Sequence, residues 1–264
     1  MELTMYDFER YIQKDMDEVR AEQMWDNKSK DFYERTEKNQ KQFTNEFVFQ
    51  LIKDRQLLKA DSHALDIGCG TGRHLLEFAA YTPYLTGIDI SSKMLAYAQE
   101  KLQHIPQAKL IHGNWMGTFT TENQFDFVFA CMTPAIASID NIKRMCMISK
   151  KYCMLERTVY EKDSVQELIE QHLGRKLFRL PHNDKNYVYG VWNILWLMGY
   201  CPEVVFDKRV RSTTHTIEDY ISGIDYSPKE KTAIMQLLNT KAQDGIITAE
   251  ESVVKAIILW DTED

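Results

Sequence analysis

The sequence predicts an α/β protein, and two observations carry that prediction. From Ala64 to Val210 strand and helix signals alternate, with no internal repeat or low-complexity tract to interrupt them. Near the start of this stretch the apolar run Ala64 to Ile67 gives way to three glycines at every second position, Gly68, Gly70 and Gly72, and a helical pattern opens at Arg73. A strand, a glycine-rich turn and a helix in that order make a βα unit of an open sheet, in which ligands sit at the carboxyl ends of the strands.

Each element follows from local pattern. Residues 1 to about 60 read as a helical cap: Met5 to Trp25 and Phe32 to Leu58 carry apolar residues at three- and four-residue spacing, Phe43, Phe47, Val48 and Leu51 among them. After the glycine turn, Leu75, Leu76, Phe78 and Ala79 keep helical spacing. Tyr84 to Asp89 is a short second strand, and Ser91 to Lys101 a helix capped by Ser91 or Ser92. Leu110 to Trp115 holds the third strand and its turn, and Phe125 to Met132 the fourth. Tyr152 to Leu155 is the fifth strand, Tyr187 to Met198 the helix after it, Val204 to Arg209 the sixth strand and Val253 to Trp260 the last. Two connections, at about 159–186 and 212–251, exceed what such a core needs, and long connections in compact domains are usually functional. The first carries a helix around Ser164 to Leu173 and a polar loop with Arg175, Arg179, His182, Asn183 and Asp184. The second carries helices at Ile217 to Ile224 and Pro228 to Lys241. The expected organisation is therefore a cap over 1–60 and one elaborated domain over 61–264 with these two inserts.

The glycine turn selects a ligand class. Gly68, Gly70 and Gly72 permit positive φ and let a ligand approach the backbone where a Cβ would obstruct it. A dinucleotide turn would put its third glycine at Arg73 and would set a pyrophosphate beside Asp66. A phosphate loop would need Lys and then Ser or Thr where His74 and Leu75 stand. Asp89, at the end of the second strand, lies about 20 residues past the glycines, where a carboxylate can accept from the two hydroxyls of a ribose.

Asp66-Ile67-Gly68-Cys69-Gly70-Thr71-Gly72 resembles the first motif, Asp-x-Gly-x-Gly-x-Gly, of the class I S-adenosylmethionine-dependent methyltransferases. The segment from Asp89 to Leu95 is similar to that family's second motif. Gly113-Asn114-Trp115 stands where the family has Gly-Asp-Trp or Gly-Asp-Ala, and Phe125 to Met132 matches the strand that ends beside the reactive methyl group. The resemblance covers Ala64 to Met132. It implies a Rossmann-like, seven-stranded, mostly parallel sheet with helices on both faces, the final strand entering antiparallel beside the sixth. It also implies S-adenosyl-L-methionine as cofactor, held by Asp66, Gly68, Cys69, Gly70, Gly72, Asp89, Ile90, Met94, Asn114, Trp115 and Ala130. Ile90, Met94 and Trp115 would then contact the adenine, whose amino group the Asn114 carbonyl can accept. Trp25 to Tyr33 is similar to a Trp-x-x-x-Ala/Ser-x-x-Phe/Tyr stretch that precedes the core in many small-molecule methyltransferases, which makes Tyr33 a further candidate contact.

Under this reading a nucleophilic O, N, S or C displaces the sulfonium methyl, and the protein supplies alignment, exclusion of water and, for some acceptors, a base. The candidate bases are Glu156 past the fifth strand, His182 in the first insert and His215 after the sixth strand. A net charge of −7 offers no broad basic face for a phosphate backbone, so nucleic acid is not the expected partner. After Phe129 the chain also lacks the Asn/Asp-Pro-Pro-Tyr turn that resembles base amino-methylation, and the Pro-Cys pair of cytosine C5 enzymes. A small-molecule acceptor is the expectation; the alternatives are a protein or RNA methyltransferase docking through the inserts, or a non-catalytic S-adenosylmethionine-binding regulator. The five cysteines have no spacing that makes a disulfide framework or a zinc site, and no metal is expected. Met1 to Lys14 lacks the apolar core of a signal peptide, and Val188 to Tyr200 is too short for a membrane span, so a cytoplasmic enzyme with no membrane partner is expected.

Overall fold

A computed structural model describes residues 3–12, 17–38, 46–177 and 184–263. In chain order it contains α1 (Tyr6–Glu9), α2 (Glu18–Lys38), α3 (Glu46–Asp54), β1 (Ala64–Ile67), α4 (Arg73–Phe78), β2 (Leu85–Asp89), α5 (Ser92–Leu102), β3 (Lys109–His112), α6 (Trp115–Thr118), β4 (Phe125–Cys131), α7 (Ile139–Ile148) and β5 (Ser149–Asp163). Then follow α8 (Ser164–Leu173), α9 (Lys185–Leu197), β6 (Glu203–Thr216), α10 (Ile217–Ile221), α11 (Pro228–Asn239) and β7 (Ile246–Asp261). The strands form one seven-stranded sheet in the order β3-β2-β1-β4-β5-β7-β6. The pairings β3–β2, β2–β1, β1–β4 and β4–β5 are all parallel. The order reverses next to β1, so β1 and β4 diverge at a switch point, where an α/β sheet opens a crevice at its carboxyl edge.

By its contacts the chain divides into two compact units. The first comprises Met1–Arg157, Asn186–Val205 and Ile257–Asp264; the second comprises Thr158–Lys185 and Phe206–Ala256. In the first unit, β1 is buried at all four positions, as a central parallel strand covered on both faces must be. Its core gathers Val48, Leu51 and Ile52 of α3, Leu75 and Phe78 of α4, and Phe127 and Phe129 of β4. The Phe78 ring meets Phe127 and Phe129 edge to face at 5.6 and 5.4 Å, a geometry worth ~1 kcal/mol per pair beyond area burial. The second unit has its own core, in which Val165 and Ile169 of α8, Tyr220 and Ile221 of α10, Ile234 and Leu238 of α11, and Ile247 and Ala249 of β7 pack together. Helix α11 starts on a capping box, with Ser227 and Glu230 exchanging bonds and Pro228 in the first turn.

The elements depart from the sequence reading in two respects. Residues 26–31, between the helical patterns of Met5 to Trp25 and Phe32 to Leu58, are the middle of one helix, α2. Strands β5, β6 and β7 run for 15, 14 and 16 residues, well past the short apolar runs that mark them in the sequence. In β6, exposed and half-buried positions alternate from Phe206 to Thr216, the period of a strand with one wet face. Among the described residues, no helix is long and apolar enough to cross a membrane.

Candidate functional site

The site lies in the first unit, at the carboxyl ends of β1, β2 and β4. The three glycines after β1 have φ of +70°, +53° and +73°, the left-handed region that favours glycine. They serve different ends. A Cβ on Gly68 would lie 2.3 Å from Thr133 Oγ1, so this glycine lets the turn pass under the segment that follows β4. A Cβ on Gly70 would meet no protein atom within 4 Å, and Gly70 lines a pocket of about 330 Å³. Gly113, at the end of β3, also lines the pocket and likewise has open space at its Cβ position.

Asp89 ends β2 on the pocket wall. Its Oδ2 accepts from the Gly70 N–H at 2.8 Å and its Oδ1 from the Ser91 N–H at 2.8 Å. A carboxylate has about four lone-pair sites, so each oxygen keeps capacity for a further donor. Burial raises the Asp89 pKa, opposed by those two backbone bonds and by His112. Beneath the turn, Asp66 is buried, and its Oδ2 has no hydrogen-bond partner; His74 Nδ1 lies 3.9 Å from it. Burial, followed by repulsion from Asp89, raises the Asp66 pKa well above the ordinary carboxylate range, with Arg73 working against the rise. An orphaned buried carboxylate beside a glycine cradle fits a ligand that brings positive charge.

The rest of the wall comes from three places. Ile90 and Met94, after β2, supply apolar surface, and Trp115 adds its indole, fixed by a bond from Nε1 to the Ala135 carbonyl at 3.1 Å. Cys131, Met132 and Thr133 follow from β4. Met132 has φ +51°, a strained position for a residue with a Cβ, and its N–H donates to the Glu156 carbonyl at 3.0 Å. The third contribution is α2, whose Glu18, Ala21, Trp25 and Phe32 face the pocket. Three acidic residues four apart tie this helix down: Glu18 accepts from Asn114 Nδ2, Glu22 lies 3.2 Å from His112 Nε2, and Asp26 accepts from Ser91 Oγ at 2.6 Å. The Ser91 bond holds the Asp26 pKa down.

Of the residues singled out in the sequence, Gly68, Gly70, Asp89, Ile90, Met94, Asn114 and Trp115 all line this pocket. Asp66, Cys69 and Ala130 are buried behind it, and Gly72 caps α4 with a would-be Cβ 3.0 Å from Ala98. Tyr33 lies off the wall, its ring stacked on Tyr97 at 4.1 Å, while Trp25 and Phe32 of the same helix face the pocket. Glu156 is buried, with its carboxylate within 4.8 Å of a His74 ring nitrogen and of Cys131 Sγ. His215 lies in the second unit, where Nε2 is 2.9 Å from Thr213 Oγ1 and 3.1 Å from Glu251. Burial works to raise the Glu251 pKa, but the bonds from Thr213, Arg211 and His215 outweigh it and lower the value. His182, with Arg179 and Asn183, lies outside the described residues, as does Phe43 of the N-terminal segment. Sequence reasoning missed Glu18 and Ala21 as pocket residues, and from the aromatic stretch of α2 it chose Tyr33 over Trp25 and Phe32. Their spacing of three and four on a helix was the available signal.

A family described as a methyltransferase domain matches residues 64–151, the stretch that builds β1 to β4 and the start of β5. Residues 64–151 thus carry a methyltransferase domain. Within that family, the demethylmenaquinone methyltransferase of Bacillus licheniformis is 41% identical over 68 residues, 25% of this chain and 29% of the relative. That of Oceanobacillus iheyensis is 39% identical over 79 residues, 28% of this chain and 33% of the relative. The chain thus spans about a third of the length of these curated relatives. The methyltransferase fold extends further than the sequence likeness. A magnesium protoporphyrin IX methyltransferase from Synechocystis PCC 6803, solved with S-adenosylmethionine bound, superposes with a TM-score of 0.51 at 13% identity, covering 93% of this chain and 99% of that one. The YcgJ protein of Bacillus subtilis superposes with a TM-score of 0.54 at 15% identity, covering 83% of this chain and all of that one.

Proposed function

We propose that the chain transfers the methyl group of S-adenosyl-L-methionine to an O, N, S or C nucleophile of a small-molecule acceptor. The observation that carries this reading is the pocket in which Gly68, Gly70 and Asp89 stand together with the apolar wall of Ile90, Met94 and Trp115. In the proposed complex Asp89 accepts from the ribose hydroxyls with its remaining lone pairs. Gly70 lets the donor lie against the turn, and the orphaned Asp66 oxygen balances its positive charge. The bound donor supplies an electrophilic methyl group on a sulfonium, an activation the cofactor brings with it. Trp25 and Phe32 of α2 exclude water from the donor. The strained Met132 and its neighbours Cys131 and Thr133 set the direction from which a nucleophile approaches, because alignment is the protein's main contribution to such a displacement.

The likeness to demethylmenaquinone methyltransferases covers a quarter of the chain and supports the donor chemistry. The acceptor is chosen by residues outside that match. Glu156, His182 and His215 are the proposed candidates for a base, and of these Glu156 belongs to the same unit as the pocket. Incubation with the methyl-labelled donor and a size-fractionated cell extract tests the proposal. Label in the small-molecule fraction supports it, label on macromolecules supports a protein or RNA acceptor, and donor binding without transfer to any fraction supports a regulator.

A further inference from the structure

Among the described residues, two carboxylates line the pocket, Asp89 and Glu18. The first lies on the turn after β2, where the ribose is expected, and the second belongs to α2 and stands at Asn114, where the adenine is expected. An adenine amino group is a donor and needs an acceptor opposite it. Asn114 has one side-chain oxygen, and that oxygen accepts from the Met116 N–H at 2.9 Å, capping α6. This bond also fixes the amide orientation, because only the oxygen can accept from a backbone N–H. Asn114 therefore turns its Nδ2 to the pocket side and donates it to Glu18 Oε1. The edge of Asn114 that meets Glu18 thus presents a donor, while its oxygen is engaged in capping α6. A carboxylate that has taken one bond from an amide still has lone pairs for more.

We infer that Glu18, on the N-terminal helix, is the specificity-determining acceptor for the 6-amino group of the donor's adenine, with Asn114 acting as the positioning residue that orients its carboxylate. The inference rests on the proposal that the pocket binds S-adenosylmethionine. It assigns to α2 a role in reading the base as well as in covering it. Glu22, bridged to His112, and Asp26, bonded to Ser91, hold the helix one and two turns beyond the contact, so the Glu18 carboxylate is presented by a braced element.

The test compares two ligands by titration calorimetry: S-adenosylhomocysteine, and its analogue with hydrogen in place of the 6-amino group. Wild-type protein is expected to prefer S-adenosylhomocysteine by at least tenfold, the scale of one bond to a charged acceptor. Glu18→Ala should bind the two within about threefold of each other, while its affinity for the analogue stays near wild type, which also reports that the variant is folded. Glu18→Gln keeps an acceptor oxygen and should retain part of the preference. Adding Asn114→Asp to Glu18→Ala should restore it, since an aspartate can cap α6 with one oxygen and accept from the base with the other. A Glu18→Ala protein that keeps the wild-type preference would overturn the inference and leave the donor assignment standing. A wild-type protein that binds neither ligand would overturn both.

Discussion

The Gly70 N–H donates to Asp89 Oδ2 at 2.8 Å, joining the glycine turn after β1 to the acid that ends β2. One carboxylate thus shapes the turn and faces the pocket. The two motifs that mark the proposed donor site in the sequence are one hydrogen-bonded unit in three dimensions.

Asp89→Ala should therefore cost both binding and stability. Loss of an acceptor for two ribose hydroxyls is expected to weaken S-adenosylhomocysteine binding by about 2 kcal/mol or more, roughly thirtyfold. The freed N–H groups of Gly70 and Ser91 should lower stability by a further ~1 kcal/mol. Calorimetry measures the first and urea denaturation the second. Unchanged affinity would reassign the ribose contact.

Gly68 and Gly70 should separate under substitution. Gly68→Ala combines a φ of +70° with a Cβ 2.3 Å from Thr133 Oγ1. It is expected to destabilise the fold by about 2 kcal/mol or more. Gly70→Ala meets open space, so its stability loss should stay near ~1 kcal/mol while ligand affinity falls more steeply. Equal stability losses in the two variants would contradict the assignment of the first glycine to packing and the second to the ligand.

Asp66 predicts a pH dependence whose sign follows from its raised pKa. The folded state holds this proton more tightly than the unfolded chain, so the group lowers stability progressively as pH rises from about 3.8 through the raised folded value. A cationic ligand favours the ionised form and expels the proton. Affinity for S-adenosylhomocysteine, through its α-ammonium, should accordingly rise with pH across that interval and level off above it. Asp66→Asn should flatten the profile without loss of stability at neutral pH. A pH-independent affinity in the wild type would remove Asp66 from the donor site.

In the second unit, Glu230 accepts from the Ser227 N–H and hydroxyl and from Arg175 Nε, and its pKa is lowered to about 2 chiefly by the Arg175 bond. A depressed carboxylate stabilises above its unfolded pKa, and that contribution is lost as pH falls from about 4.5 through about 2. The melting temperature of Glu230→Gln should lie below wild type at pH 7, and the two should converge as pH approaches 2. A gap that persists at pH 2 would mean that the carboxylate charge is not what the cap uses.

The glycine turn and the pocket around it were legible in the sequence because their signals are local. A glycine that must take positive φ, and an acid at the end of a short apolar strand, can be read without knowing their neighbours. Helix α2 was harder. Trp25, Phe32 and Tyr33 lie on different sides of one continuous helix, and the sequence alone does not say which aromatic faces the pocket; Trp25 and Phe32 do, while Tyr33 stacks on Tyr97. The long end of β6 escaped because half-buried Arg211, Thr213 and His215 alternate with exposed Val210, Ser212 and Thr214 instead of forming an apolar run. Two groups of potential metal-ligating side chains were likewise invisible in the spacing. His74 with Cys131 and Glu156, and Asp163 with His215 and Glu251, each bring their ligand atoms within 4.8 Å of one another from distant parts of the chain.

The central claim is that the glycine turn and Asp89 hold a methyl donor and not a dinucleotide. Titration calorimetry of the purified protein with S-adenosylhomocysteine and with NAD tests it most directly. The account predicts one S-adenosylhomocysteine bound per chain and no measurable heat from NAD. Tight NAD binding with no affinity for S-adenosylhomocysteine would contradict it.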